Sequence, residues 1–322
     1  MSVARRVPET WNLTGDDARE TLERTGRRQL VRDAFVRLRV SDGFSHARSL
    51  AFVISLLLVQ GVIVLVGLAA ALGDTDVSGT IVRSINEGAP GPAGRALTRA
   101  VFHAYRAGNE GQYFVLVVVG ITSLVTGATL MGQMERALNR LYGIEQDRPS
   151  LQKYGRALAL AVTAGVLAVV AFGAFALGHG IGEGIGDETV RSVWRVVRWP
   201  LALVLMTAAI ALLFRWSPNR RQPHWSWLAW GAAISVLSWS VLTLGLGLFF
   251  QASTTFSRTY GPLAGMVALL LWALLSSIAI LFGAAVAVQL EAVRAGVAEP
   301  RDERKLGAES EQQDARLLAG TP

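Results

Sequence analysis

The chain has 322 residues and a net charge of +7; 52% of its residues are hydrophobic and 17% are charged. Soluble globular chains carry about 25% charged residues, so this deficit, concentrated in long apolar runs, excludes a soluble protein and predicts a polytopic membrane protein. The sequence contains no cysteine, which excludes disulfides and thiolate metal sites.

The first predicted element is an amphipathic helix over residues 14–40. Thr14 is a suitable N-cap, and acidic residues follow it in the first turn, where they interact favourably with the helix dipole. Arginines fill the later part of this segment. An apolar stripe runs along it, formed by Leu30, Val31, Phe35 and Leu38. The stripe and the arginines together predict a helix that lies on the inner membrane surface.

Six apolar stretches approach or exceed the length of about 20 residues that crosses a hydrocarbon core of roughly 30 Å. They comprise residues 49–72, 113–131, 157–178, 199–214, 225–250 and 261–289. Their apolar character is continuous rather than alternating, which favours helices over a barrel. The predicted fold class is an all-α membrane helical bundle with six transmembrane helices.

Lysines and arginines are distributed unevenly between the connections of these six spans. One side carries 23 of them and the other carries 8. Because positive residues accumulate on the cytoplasmic side, both termini are predicted to be cytoplasmic. The chain then divides into an N-terminal cytoplasmic segment (1–44), a membrane domain (45–295) and a charged tail (296–322), which is predicted to be disordered.

Residues 73–112 form the longest predicted connection on the outer side. Glycine and proline interrupt this segment at 88–94, and a short amphipathic helix is predicted after the break. Leu97, Val101 and Tyr105 recur at helical spacing and define one apolar face of that helix. The segment is therefore predicted to be an outer amphipathic element.

The stretch "LMGQMERALNRLYGIEQDRPS" at 130–150 turns from apolar to basic within a few residues. Nucleic-acid binding by stacking would require several aromatic residues interleaved with the basic ones, and this stretch lacks them. Arg136 and Arg140 lie one turn apart, and Tyr142 is expected at the depth of the lipid headgroups. The pattern predicts a cytoplasmic membrane exit that contacts anionic lipids, and no nucleic-acid partner.

Metal-dependent cleavage of RNA would need clustered carboxylates or histidines. The four histidines, His46, His103, His179 and His224, divide equally between the two predicted sides of the membrane and cannot converge. The glycine-rich segment 178–188 fails the G-x-G-x-x-G spacing of a nucleotide loop. The sequence therefore predicts no enzyme activity, no cofactor and no metal.

The six spans carry no charged residue near their centres, which disfavours a proton-coupled pump or a voltage sensor. Thr122, Thr126 and Thr129 share one face of the second span. Two interpretations of this hydroxyl stripe remain open: a groove that takes an amphiphile, or close helix packing, which also favours small and hydroxyl residues.

Two long stretches resemble the YihY/BrkB family of bacterial inner-membrane proteins. The first is "FRWSPNRRQPHWSWLAWGAAISVLSW" and the second is "RTYGPLAGMVALLLWALLSSIAILFGAAVAVQLEA". The segment "ALNRLYGI" also stands where that family has Ala-Leu-Asn followed by an aromatic residue. The resemblance implies an inner-membrane location. Members of that family have been labelled ribonuclease BN, and envelope or lipid-transport roles have been suggested for some of them.

The residues that match the family motifs are the candidate site residues. They are Arg136, Asn139, Arg140, Pro218, Asn219, Tyr260, Gly261 and Gly265. The sequence departs from the family at Ala285, where relatives carry glutamate, and at Phe249 and Phe256, where relatives often carry tyrosine. A role that depends on the missing carboxylate does not transfer to this chain.

Three functions are compatible with these patterns. The first is transport or handling of a lipid or other amphiphile at the cell envelope, with membrane lipids as partners. The second is a non-transporting scaffold, in which the outer segment and the tail would contact an envelope protein or another copy of the chain. The third is a membrane-bound ribonuclease, for which the sequence offers no group of catalytic residues.

Overall fold

The computed structural model describes residues 3–71, 76–111, 113–149, 152, 155–163 and 188–302. Regular structure in these residues is helical, apart from an isolated bridge between Ala4 and Arg301. In chain order the helices are α1 (Gly15–Thr25), α2 (Arg27–Val40), α3 (Gly43–Ala71), α4 (Asp76–Gly88), α5 (Gly91–Asn109), α6 (Tyr113–Leu141), α7 (Glu188–Trp216), α8 (Trp225–Ala252), α9 (Thr254–Tyr260) and α10 (Ala264–Arg294). Residues 155–163 are also helical, and Gly261–Leu263 form a 3-10 turn before α10.

Four of the described helices are long and apolar enough to cross a membrane. They are α3, α6 from Phe114 onwards, α8 and α10. These helices coincide with the first, second, fifth and sixth predicted spans. The all-helical fold is thus confirmed, together with four of the predicted membrane helices.

The third and fourth predicted spans have different outcomes. Only residues 157–163 of the third are described, and they are helical; residues 164–178 lie outside the described part of the chain. The fourth belongs to a longer helix, α7, which begins at Glu188 and contains Pro200. Membrane helices tolerate proline because neighbouring groups satisfy the freed carbonyl. Its apolar portion, Pro200–Trp216, is shorter than a full span, so the count of six and the orientation stay predictions.

The single helix predicted over residues 14–40 is wrong, because the chain forms two helices there. Thr14 caps α1 as expected: its backbone N–H and its hydroxyl both donate to the Asp17 carboxylate at 2.9 Å. The hydrogen bond from the Thr14 backbone is the main reason that the pKa of Asp17 lies below its usual value. Gly26 ends α1 with a φ of 82°, a left-handed conformation that glycine adopts without a steric penalty.

The predicted apolar stripe on α2 is divided between two surfaces. Leu30 and Leu38 are buried and face α10 and the core, whereas Val31 and Phe35 are each 50% exposed. Leu30, Ala34 and Leu38 recur every four residues, which is the spacing of a helix face packed on protein. The helix therefore packs on the bundle through one face, and the prediction that the whole stripe lies on the membrane is wrong.

Two hydrophobic clusters form the core, at the two ends of the bundle. The first lies at what we call the terminal end, which comprises residues 3–42, the last turns of α6 and α10, and residues 214–228. The second lies at the opposite end and joins α3, α4, α5, α9 and the start of α10. Leu97 and Val101 are buried in it and Tyr105 packs against it, which confirms the predicted apolar face of α5.

The start of the predicted disordered tail is ordered. The Arg5 N–H donates to the Pro300 carbonyl, and the Asp302 N–H donates to the Val3 carbonyl, both at 2.9 Å. These bonds tie residues 300–302 to the N-terminal segment. The predicted disorder therefore does not extend to residues 296–302, whereas residues 303–322 lie outside the described part of the chain.

Candidate functional site

The candidate residues predicted from the sequence lie at both ends of the bundle and do not form a single site. Five belong to the terminal end: Arg136, Asn139, Arg140, Pro218 and Asn219. The other three, Tyr260, Gly261 and Gly265, lie at the opposite end, beside the start of α5. Each set has its own geometry and its own chemistry.

Asn139 connects two segments at the terminal end. It is fully buried; its side-chain N–H donates to Asp147 at 3.1 Å, and its oxygen accepts the N–H of Asn219 at 2.8 Å. Arg136 donates to the same Asp147 at 3.2 Å but is largely exposed. Arg140 donates to the carbonyl of Ile144 at 3.0 Å. Asn139 thus holds the turn after α6 against the turn after α7.

Arg148 explains the role of Pro218. Its guanidinium donates to the carbonyls of Ser217 at 2.9 Å and Pro218 at 2.6 Å, and it pairs with Glu135 at 3.3 Å. Burial lowers the pKa of Arg148, and the Glu135 carboxylate acts in the other direction. Pro218 therefore contributes a carbonyl acceptor. Both family motifs at this end serve to join α6 to the α7–α8 connection.

Asn139 and Arg136 provide a matched test of this interpretation. We expect Asn139→Ala to reduce stability by about 1–3 kcal/mol, because it removes a fully buried amide and both of its hydrogen bonds, to Asp147 and to the Asn219 N–H. Arg136→Gln should change it by less than about 0.5 kcal/mol, because that side chain is 53% exposed. Thermal unfolding of both purified variants in detergent measures the difference. Equal midpoints for the two variants would contradict the proposed role of Asn139.

An ion pair that the sequence did not predict lies beneath these turns. Arg220 and Glu291 approach to 2.6 Å, and their side chains are 1% and 0% exposed. Glu291 also accepts a hydrogen bond from the Thr10 hydroxyl. The Arg220 guanidinium lies 4.2 Å from the centre of the Tyr142 ring, within cation–π distance. The pair connects α10 to both the N-terminal segment and the α7–α8 connection.

Arg37 is a second buried cation that the sequence did not single out. It donates to Gln289 at 2.7 Å and to the carbonyls of Arg5 and Leu141 at 3.2 and 3.3 Å. Burial lowers its pKa to about 10, so the guanidinium remains charged at neutral pH. The sequence does not distinguish Arg37 from the other arginines of α2. It differs from them because it lies on the face of α2 that the bundle buries, which depends on contacts with distant segments.

The Tyr142 ring is buried within the protein, whereas the sequence predicted a ring in contact with lipid headgroups. Its side chain is 3% exposed, and its hydroxyl donates to Gln222 at 2.9 Å. Burial raises its pKa above the usual value for tyrosine. The N-terminal segment lies beside this residue, since the Val7 N–H donates to the Tyr142 carbonyl at 3.1 Å. Ala285, where relatives carry glutamate, is also fully buried at this end.

The opposite end has a different feature, a small groove between α5 and α10. The two backbones approach closely, because a side chain at Gly265 would meet Ala96 at 3.0 Å and the Pro92 carbonyl at 3.2 Å. The groove has a volume of about 180 Å³. Its lining residues are Pro92, Arg95, Ala96, Arg99, Gly261, Ala264 and Gly265. We call it the arginine groove.

The arginine groove is strongly basic. Arg95 and Arg99 are one helical turn apart and exposed, and neither is paired with a carboxylate among the described residues. The helix α5 begins beside the groove, and a helix N-terminus carries partial positive charge. Gly261 has a φ of 48°, a conformation that disfavours any side chain at this corner. The geometry is suited to holding an anion.

An aromatic cluster flanks the groove. The rings of Phe250, Phe256 and Tyr260 follow one another at centroid distances of 4.9 and 4.8 Å. Phe250 lies against Gly91, at the start of α5, and Tyr260 precedes Gly261. Sequence reasoning included Gly261 and Gly265 but missed Arg95 and Arg99. The signal available in the sequence was their spacing of one helical turn in segment 73–112, which is predicted to lie on the side with fewer basic residues.

The threonine stripe on α6 satisfies its hydroxyls within the helix. Thr122, Thr126 and Thr129 each donate to a carbonyl of the preceding turn, at 3.0, 2.7 and 2.8 Å. Gly127, on the same helix, would place a side chain 3.3 Å from Ala161 in the helical segment 155–163. Both interpretations of the stripe remain predictions, because the residues that follow this segment lie outside the described part of the chain.

His46 lies in the first turn of α3, His224 at the terminal end and His103 on α5, whereas His179 falls outside the described residues. Across the described ranges, no three histidine, aspartate or glutamate side chains are grouped closely enough to hold a metal ion.

Comparison with known families gives a match over most of the chain. Residues 34–308 match the family described as virulence factor BrkB. The chain belongs to the BrkB family. This assignment confirms the resemblance seen in the sequence and, with the four apolar helices, makes the protein a BrkB-family membrane protein.

Curated relatives of this BrkB-family protein are distant. YfkH of Bacillus subtilis, named as a ribonuclease-like protein, is 24% identical over 260 residues, which cover 79% of this chain and 92% of YfkH. A UPF0761 membrane protein of Idiomarina loihiensis is 25% identical over 189 residues, 58% of this chain and 66% of that protein. Another, of Rhodospirillum centenum, is 26% identical over 289 residues, 88% of this chain and 63% of that protein. No solved structure matches the chain.

Proposed function

We propose that this BrkB-family protein lies in the bacterial inner membrane with both termini cytoplasmic and handles a lipid or other amphiphile at its outer end. The arginine groove is the observation that carries this proposal. It combines exposed arginines with a flanking aromatic cluster at the end of the bundle opposite to the termini. In this proposal the protein is not an enzyme.

The surroundings of the groove support an amphiphile over a fully water-soluble ligand. Leu263 and Met266, on either side of the groove residues Ala264 and Gly265, are exposed apolar residues. Pockets that enclose an entire small ligand measure about 300–1,000 Å³. A groove of about 180 Å³ fits the polar head of an amphiphile, while the apolar part would lie along the exposed helix surface.

Reconstitution tests this function. Purified protein in vesicles of envelope lipids is expected to move a fluorescent lipid across the bilayer faster than empty vesicles do. Gly265→Leu should abolish the increase, because its side chain would meet Ala96 and close the groove. Gly245→Leu is the control, since a side chain there faces open space.

Both variants must remain monodisperse in detergent before their transport is compared. Wild-type protein that moves no labelled lipid, together with unchanged envelope lipids in cells that lack the gene, would contradict the proposal. Transport by Gly265→Leu at the wild-type rate would remove the groove from it.

A further inference from the structure

We infer that the arginine groove binds the phosphate group of its ligand, which the guanidinium groups of Arg95 and Arg99 hold together. The inference rests on the proposed function and names the ligand class of the same site: an amphiphile with a phosphate head. It assigns a role to two arginines that the family motifs do not include.

The first argument is the charge arrangement. Arg95 and Arg99 are four residues apart on α5, so their side chains project from the same face. Like charges at this spacing destabilise a helix, and no described carboxylate neutralises this pair. A bound anion between the two guanidiniums removes the repulsion. A phosphate monoester carries about −1.5 to −2 charges at neutral pH, which matches two arginines better than a carboxylate does.

The second argument is the backbone around the cavity. The first turns of α5 and α10, which are 19 and 31 residues long, line the groove from two sides. The positive end of the α5 dipole therefore adds to the charge of the arginines. Gly261 has no side chain, and nothing lies within 4 Å of where one would begin, so a tetrahedral group can approach the backbone there.

The third argument is the hydrogen-bonding geometry of arginine. A guanidinium presents its N–H groups as a planar fork, which binds phosphate oxygens in pairs. Phosphate offers three acceptor oxygens or more, enough for both forks, whereas a carboxylate offers two. The exposed apolar residues and the aromatic cluster beside the groove are then available to the tail of the ligand.

Native mass spectrometry of the full chain in detergent tests this site, with phosphatidate as the probe. Wild-type protein should retain phosphatidate, and Arg95→Gln/Arg99→Gln should bind it at least tenfold more weakly. Arg106→Gln is the matched control: it is another exposed arginine on α5 but does not line the cavity, so we expect less than a twofold change. Arg95→Lys/Arg99→Lys should restore binding in part, because it restores charge without the planar fork.

Two competitors define the chemistry. Oleate, a carboxylate of similar chain length, should bind at least tenfold more weakly than phosphatidate. Inorganic phosphate at millimolar concentration tests which part of the ligand is recognised. If it displaces phosphatidate, the phosphate head is sufficient for binding; if it does not, the lipid tail also contributes. Both results agree with a phosphate site. Equal binding of oleate, or equal losses in Arg106→Gln and the double variant, would overturn the inference.

The inference and the proposed function fail in different ways. Phosphatidate binding without transbilayer movement would leave the phosphate site and remove transport. Lipid movement that Arg95→Gln/Arg99→Gln leaves unchanged would keep transport and remove the phosphate site. Because both arginines are exposed and repel each other, the double variant is expected to unfold at or slightly above the wild-type midpoint, which separates lost binding from lost folding.

Discussion

Glu291→Leu is expected to destabilise the protein by about 3–5 kcal/mol. The substitution leaves the Arg220 guanidinium, 1% exposed, without the carboxylate that lies 2.6 Å away. Removing one partner of a buried ion pair costs this much because the other charge stays in a medium of low polarity. Thermal unfolding in detergent, followed by size-exclusion chromatography, measures the effect.

Two comparisons make this prediction specific. Arg220→Met/Glu291→Leu removes both charges and should recover most of the lost stability, since apolar residues of similar volume often replace a buried pair at little cost. Glu23→Ala breaks an ion pair between Glu23 and Arg19, whose side chains are 66% and 73% exposed, respectively. It should reduce stability by less than about 1 kcal/mol. If Glu291→Leu and Glu23→Ala had the same effect, the buried pair would have no special role.

Gly283→Val is the second substitution with a large expected effect, a loss of about 3 kcal/mol or more. A side chain at Gly283 would overlap the Ser235 hydroxyl and the Gly231 carbonyl, and it would lie 2.7 Å from the Ser235 nitrogen. Backbone atoms cannot rotate away as a flexible side chain does. The helices α8 and α10 would have to separate, and the close packing that joins them would be lost.

The close contact between α8 and α10 can also be tested from α8, at Gly231. A side chain at Gly231 would lie 2.6 Å from the Cβ of Ala287 and 2.7 Å from the Gly283 carbonyl, so Gly231→Val should destabilise in the same direction. Gly245→Val is the control, because it belongs to the same helix but faces open space. Unfolding midpoints of the three variants in detergent should separate the two crossing positions from the control. A midpoint for Gly283→Val equal to that of Gly245→Val would contradict the close approach.

Local patterns in the sequence were sufficient for the features that depend on neighbouring residues. Continuous apolar runs predicted α3, α6, α8 and α10, because burial in lipid depends on the hydropathy of a single segment. Thr14 and Asp17 predicted the start of α1 for the same reason, since a helix cap involves residues three apart. The break before α5 followed from glycine and proline.

Patterns of this kind did not identify the partners of the polar residues. Tyr142 is a residue type that often lies at the membrane interface. Here the N-terminal segment bonds to its backbone, and the Arg220 guanidinium lies over its ring. Gly26 divides a continuous amphipathic pattern because α1 and α2 pack on different parts of the bundle. At both positions the local structure depends on which distant segment packs against the residue, and a local sequence pattern does not contain that information.

The sequence by itself determined that this chain is an all-helical membrane protein of the BrkB family, because hydropathy and family motifs are contained in short contiguous stretches. Only the tertiary structure decided which polar residues meet: Glu291 with Arg220 at the terminal end, and the arginines of α5 with Gly261 and Gly265 at the opposite end. The physical reason is that a charge or a glycine acquires its role from atoms supplied by distant segments. Those atoms are brought together only when the helices pack.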